Sequence, residues 1–106
     1  MTPLIWFAFV LAAIMEVCGD AVIRKGMRGG APWLTVAGFV VLGAYGITVN
    51  TVRWDFSKML GVYICFFAAI SILAGRFVFK ETVPISTWLG LALIIAGGAI
   101  IQVGRR

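Results

Sequence analysis

The stretch LIWFAFVLAAIMEVCGDAVI, residues 4–23, is twenty residues long and contains only two charged side chains, Glu16 and Asp20. An α-helix of this length spans about 30 Å at ~1.5 Å per residue, which matches the hydrocarbon thickness of a bilayer. The run is continuously apolar and lacks the alternation of a strand from an outer-membrane barrel. It therefore predicts a membrane-spanning helix with an acid in its interior.

Three further apolar runs of similar length follow, over residues 32–52, 59–79 and 85–103. The chain has 106 residues, of which 62% are hydrophobic and 12% charged, and so small a soluble globule could not cover that much apolar surface. We predict an all-α integral membrane protein in which residues 1–106 form a single domain of four transmembrane helices. The first of them covers about residues 4–23.

The basic residues lie near helix ends and in loops, where they suit interfacial anchoring better than nucleic-acid binding. Four spans place them on two sides: Arg53, Lys58, Arg105 and Arg106 on one, and Arg24, Lys25, Arg28 and Lys80 on the other, with Arg76 as a possible fifth. A chain with one orientation usually has a clear Lys/Arg excess on its cytoplasmic side. The near balance predicts dual topology and an antiparallel dimer, and the alternative is that individual charges of unequal weight select one orientation.

The neighbours of Glu16 at helical spacing are small or polar, namely Ala12, Ala13, Gly19 and Asp20. An ionised carboxylate inside a bilayer costs at least ~2.5 kcal/mol, so acids there usually face the protein interior and have a function. Burial disfavours the ionised form, so a proton and an organic cation would compete for the same carboxyl group. That competition would couple cation export to proton entry. The alternative is that Glu16 only joins helices through a polar contact.

Asp20 lies one helical turn beyond Glu16. It is either half of an interfacial ion pair with Arg24 or Lys25, or a second anionic point on the same face. The second interpretation would suit a substrate with more than one positive charge, such as a polyamine.

Aromatic and small residues on the other helices supply further candidates. Tyr45 could hold a cation over its ring, and Tyr63 could donate a hydrogen bond to a carboxylate or stack beside a substrate. In the last run, Gly90 and Gly97 lie seven residues apart, which favours close helix contact and assembly. The chain has no His, no cluster of metal ligands and no nucleophile beside a base, so we predict neither an enzyme nor a metal or cofactor site.

Three segments together resemble the small multidrug resistance family of the drug/metabolite transporter superfamily: EVCGD at residues 16–20, FKE at 79–81, and GLALIIAGGAIIQ at 90–102. The resemblance covers nearly the whole chain. It implies an antiparallel dimer with both copies of Glu16 in one central site, and it makes the helix with Gly90 and Gly97 the dimerisation helix. Tyr63 stands where the family usually has tryptophan, and Cys65 and Phe67 replace its paired third-helix glycines.

Together these features predict a proton-coupled antiporter in the bacterial inner membrane. It would export small organic or polyatomic cations, of quaternary ammonium or guanidinium type, by alternating access in an antiparallel homodimer, with Glu16 binding proton and substrate in turn. Alternatives are a polyamine exporter, a lipid-linked-substrate flippase subunit that works in a heterodimer, and a purely structural membrane protein.

Overall fold

The structure is a computed structural model that describes the backbone of residues 2–104 and the side chains of residues 3–104. This part of the chain contains no strand and four α-helices: α1 (Thr2–Arg28), α2 (Pro32–Val49), α3 (Phe56–Phe77) and α4 (Ile85–Gly104). All four are long and apolar enough to cross a membrane. The prediction of an all-α integral membrane protein with four transmembrane helices is confirmed.

The first helix continues beyond its predicted end at residue 23 as far as Arg28. Lys25 and Arg28 lie in its last turn, where cations interact favourably with the helix dipole. Two residues after the end of the helix, Gly30 adopts the left-handed conformation, with φ of 66°. The amide of Ala31 then donates to the carbonyl oxygen of Gly26 at 2.9 Å, which closes the turn. Most of residues 24–31, which separate the first two apolar runs, are therefore helical.

The second connection also differs from the prediction, since α2 ends at Val49 instead of residue 52 and α3 begins at Phe56 instead of residue 59. Polar side chains after α2 bond back to its last carbonyl groups: Asn50 Nδ2 donates to Gly46 at 2.7 Å, and Thr51 Oγ1 donates to Thr48 at 2.6 Å. Such local bonds compete with continuation of a helix. The connection therefore begins three residues earlier than the apolar run suggests.

The chain divides into two compact units, Met1–Arg53 and Trp54–Arg106. In the first unit α1 packs along α2 in very close contact. A Cβ atom at Gly38 would lie 2.8 Å from the carbonyl oxygen of Gly19, and one at Gly26 would lie 2.7 Å from the amide nitrogen of Thr35. Glycines at these positions let the two backbones approach as closely as they do.

In the second unit α3 packs along α4. A Cβ atom at Gly98 would overlap the Sγ atom of Cys65, and that sulfur lies 3.3 Å from the carbonyl oxygen of Ile94. Cys65, which replaces a family glycine, therefore fills the groove beside Gly98. In contrast, no atom lies within 4 Å of where a Cβ atom would stand at Gly90 or Gly97.

Several basic residues of the charge count lie at helix ends. Arg76 is in the last turn of α3, with its guanidinium carbon 5.3 Å from the centre of the Phe77 ring. The ammonium group of Lys58 lies 4.1 Å from the centre of the Trp54 ring. Two further residues of the charge count, Arg105 and Arg106, lie outside the described residues.

Candidate functional site

Glu16 lies on the side of α1 that packs against α2. The residues of this side recur at spacings of four and three, which places them in one row along a helix: Ala12, Glu16, Gly19, Ile23 and Gly26. Three members of the row contact α2, since Gly19 and Ile23 meet Gly38 and Gly26 meets Thr35. Glu16 is therefore positioned in the seam of the first helix pair, and its side chain is half-buried there.

Tyr45 on α2 lies across this seam from the acids. It follows Gly38 by seven residues, so both are on the side of α2 that faces α1. The carboxyl groups of Glu16 and Asp20 both interact electrostatically with the phenol of Tyr45. Glu16 and Tyr45 are half-buried, whereas Asp20 is exposed. Three of the residues proposed from the sequence therefore lie within electrostatic range of one another in the first unit.

The small residues around Glu16 take part in helix packing. Ala12 and Ala13 are each 0% exposed. A Cβ atom at Gly19 would lie 2.8 Å from the Cδ2 atom of Leu42, so that side chain occupies the space beside the glycine. Gly19 therefore does not provide room for a cation, and Asp20, one turn further on, is exposed.

Tyr63 lies on α3, in the second unit, and is only 2% exposed. It is not among the residues that the first unit brings together. Gly90 and Gly97 lie on α4, on a part of its surface that α3 leaves open.

Sequence reasoning missed two residues that shape this region. Gly38 permits the approach of α2 to α1, and its seven-residue spacing from Tyr45 was the available signal. Thr48 is the other: its hydroxyl group donates to the carbonyl oxygen of Ala44 at 2.9 Å and lies 3.7 Å from the Sδ atom of Met15, the residue before Glu16. A hydroxyl group in a membrane helix commonly donates to the carbonyl oxygen four residues earlier, as Thr48 does to Ala44. Because this pattern is common, it indicates only weakly that Thr48 lies near Met15.

The chemistry of this cluster suits an organic cation. Two carboxyl groups one helical turn apart supply negative charge, and an aromatic ring beside them supplies a π-face for a cation. Within residues 2–104 there is no group of three or more His, Cys, Asp or Glu side chains placed to hold a metal ion.

A small membrane protein with four spans and a glutamate inside its first helix has the layout of the small multidrug resistance family; Asp20 stands where that family more usually has a small or hydroxyl residue. Neither a family model nor a solved structure matches the chain. Among its relatives, a UPF0060 membrane protein of Ectopseudomonas mendocina (strain ymp) is 32% identical over 113 residues, covering 100% of this chain and 96% of that protein. This chain therefore belongs to the UPF0060 membrane proteins, within the small multidrug resistance family, and the resemblance drawn from the sequence is confirmed.

Two other relatives have functional names. The spermidine export protein MdtI of Yersinia enterocolitica is 25% identical over 95 residues, which cover 88% of this chain and 87% of that protein. The probable 4-amino-4-deoxy-L-arabinose-phosphoundecaprenol flippase subunit ArnE of Pseudomonas syringae pv. syringae is 53% identical over 34 residues, which cover 32% and 30%. The relatives and the four spans together establish a multi-pass membrane protein.

Proposed function

We propose that this protein is a proton-coupled antiporter that exports organic cations, with Glu16 as the group that binds proton and substrate in turn. The observation that supports the proposal is that Glu16 and Asp20 are close enough to the phenol of Tyr45, across the α1–α2 seam, to act on it electrostatically. A cation placed beside these groups would neutralise carboxylate charge and contact an aromatic ring.

Coupling follows from competition for one carboxyl group. A bare carboxylate in the half-buried seam is costly within a bilayer, so the transporter changes its access only when Glu16 carries either a proton or a cation. Each ligand must leave before the other binds. A proton gradient across the membrane then drives the cation outward, and alternating access moves the same site from one side to the other.

In this proposal residues 1–106 work as one four-helix transmembrane domain, and two chains form an antiparallel homodimer in the bacterial inner membrane. Near-equal basic charge on the two sides supports insertion in both orientations. The open surface at Gly90 and Gly97 supports α4 as the dimerisation helix. Each copy would contribute Glu16 to a shared cavity, with Tyr63 as an additional substrate contact.

A polyamine exporter is the second candidate, and Asp20 favours it. The Cβ atoms of residues four apart on a helix lie about 5–6 Å from each other, so Glu16 and Asp20 offer two separate anionic points to a substrate with several amino groups. The relative named as a spermidine exporter adds weight to this candidate. A third candidate, a flippase subunit, is supported only by the short match to ArnE and would require a second kind of chain.

The test is proton flux in liposomes that contain the purified protein alone and a trapped pH-sensitive dye. Guanidinium, tetramethylammonium and spermidine are added in turn to the wild type and to Glu16→Gln. The matched control is Glu81→Gln, because Glu81 is the other glutamate of the chain and lies outside the cluster, on the segment between α3 and α4.

We expect cation-driven proton flux in the wild type and in Glu81→Gln, and none in Glu16→Gln. Equal flux in Glu16→Gln would refute the role of this acid. Asp20→Asn separates the substrate classes, since it should impair flux driven by spermidine more than flux driven by guanidinium. If the folded, inserted wild type gives no flux with any cation, the antiporter is excluded in favour of a heteromeric or lipid-directed role.

A further inference from the structure

A cleft opens at the end of the first helix pair where α1 begins and α2 ends, well away from Glu16. Its volume is about 270 Å³, and it is lined by Leu4, Ile5, Ala8, Thr51, Val52 and Arg53. Three of these residues belong to the first turns of α1, and the other three belong to the segment directly after α2.

The lining of the cleft is divided between apolar and polar groups. The helix side is entirely apolar, with Leu4 63% exposed at the rim, and Val52 is 7% exposed. Both polar residues come from the connecting segment. The hydroxyl group of Thr51 already donates its hydrogen to the carbonyl oxygen of Thr48. The charged group of the lining is the exposed guanidinium group of Arg53. The cleft therefore has an apolar body and a positively charged mouth.

The position of the cleft along the helices matches the boundary of the bilayer. The spans begin at Pro3 on α1 and end at Val49 on α2, so residues 51–53 lie where hydrocarbon gives way to headgroups. Lys58, the next basic residue in the chain, is stacked over the Trp54 ring, whereas Arg53 faces the cleft. An arginine at this level pairs well with phosphate, which it can bind through two parallel N–H···O hydrogen bonds.

We propose that this cleft binds one anionic glycerophospholipid, with its phosphate on Arg53 and part of an acyl chain against Leu4, Ile5 and Ala8. The volume admits a section of one acyl chain. Basic pockets at the ends of membrane helices recognise anionic headgroups by the same combination of charge and apolar contact. The site shares no residue with the Glu16 cluster, so it stands or falls independently of the proposed transport function.

The test is lipid retention by the full chain, measured by native mass spectrometry after purification with equal amounts of phosphatidylglycerol and phosphatidylcholine. Arg53→Gln removes the charge at the mouth. Arg28→Gln is the matched control, because Arg28 is an exposed arginine in the last turn of α1, away from the cleft. Ala8→Phe fills the apolar part, and thermal unfolding followed by circular dichroism verifies that each variant is folded.

We expect the wild type and Arg28→Gln to retain phosphatidylglycerol about fivefold better than phosphatidylcholine, the factor that one basic residue near a membrane contributes. Arg53→Gln should bring this ratio close to one, and Ala8→Phe should lower retention of both lipids. An unchanged ratio in Arg53→Gln would overturn the proposal. Equal loss in both arginine variants would also overturn it, since that result indicates diffuse charge attraction. Displacement of the lipid by inorganic phosphate alone would show a phosphate site and not a lipid site.

Discussion

The substitution Gly38→Ala tests the close approach that brings Tyr45 to the acids of α1. The new Cβ atom would lie 2.8 Å from the carbonyl oxygen of Gly19 and 3.1 Å from the amide nitrogen of Ile23, and it would overlap the Ile23 side chain. Two of these three contacts are with backbone atoms of α1. A change of rotamer cannot relieve them, so α2 has to move away from α1.

The expected loss of stability follows from two opposing effects. Overpacking of a filled interface typically costs about 1–3 kcal/mol, and contact with backbone places this case in the upper part of that range. Alanine in place of glycine within a helix returns about 1 kcal/mol. We therefore expect the free energy of unfolding to fall by about 1–2 kcal/mol. Because Tyr45 moves together with α2, cation binding at Glu16 should weaken as well.

The measurement is unfolding by sodium dodecyl sulfate in mixed micelles, followed by far-ultraviolet circular dichroism. Gly43→Ala is the matched control on the same helix, since no atom lies within 4 Å of its Cβ position and only the gain in helix propensity applies. The control should be as stable as the wild type or slightly more stable. If Gly38→Ala unfolds at the same detergent fraction as Gly43→Ala, the close packing of α1 on α2 is refuted.

Three further outcomes are expected. Tyr45→Leu removes the aromatic ring and should raise the cation concentration for half-maximal proton flux about fivefold, as for the loss of one cation–π contact of about 1 kcal/mol, and an unchanged value would exclude the ring from binding. Gly98→Ala should lower the free energy of unfolding in micelles by ~1–3 kcal/mol because its Cβ atom overlaps Cys65 Sγ. The double variant Gly98→Ala/Cys65→Gly should recover this stability, and the control Gly97→Ala should not lose it. Two arginines added to the loop at 50–55 should fix the chain in one membrane orientation. Proton flux should then require co-expression with a second variant that is fixed in the opposite orientation. Flux from the single fixed variant would refute the antiparallel dimer.

The existence of the four spans and the first residues of α2 and α4 could be predicted from the sequence, but the end of α1 and the connection between α2 and α3 could not. Run length and hydropathy report where the chain meets hydrocarbon, and the bilayer imposes that requirement on each helix separately. The end of a helix depends instead on local hydrogen bonds. The left-handed turn at Gly30 stops α1 five residues after residue 23, and the back-bonding of Asn50 and Thr51 stops α2 three residues before residue 52.

The candidate site was predictable in part for a related reason. Glu16 and Asp20 are conspicuous in the sequence because charge inside a bilayer is costly. The proximity of Tyr45 to the acids depends on which faces of α1 and α2 pack against each other. The contacts of Gly38 with Gly19 and Ile23 determine those faces. Tyr63 was selected by its residue type and its place in the family pattern; it lies on α3 in the second unit, 2% exposed, and its contact with substrate stays a prediction. Residue type alone does not specify which helices meet.

The length of α1 fixes the depth of its acid in the bilayer. Its 27 residues span about 40 Å at ~1.5 Å per residue, which exceeds a hydrocarbon layer of about 30 Å. The excess places Arg24 and Arg28 at the level of the headgroups, about 12 Å or more from Glu16 along the helix axis. Movement of α1 along its axis toward the N-terminal side would draw these cations into hydrocarbon and expose Leu4 to water, and movement the opposite way would carry apolar residues such as Ile23 out of the hydrocarbon. In a thinner or thicker bilayer we therefore expect this helix to tilt and not to slide.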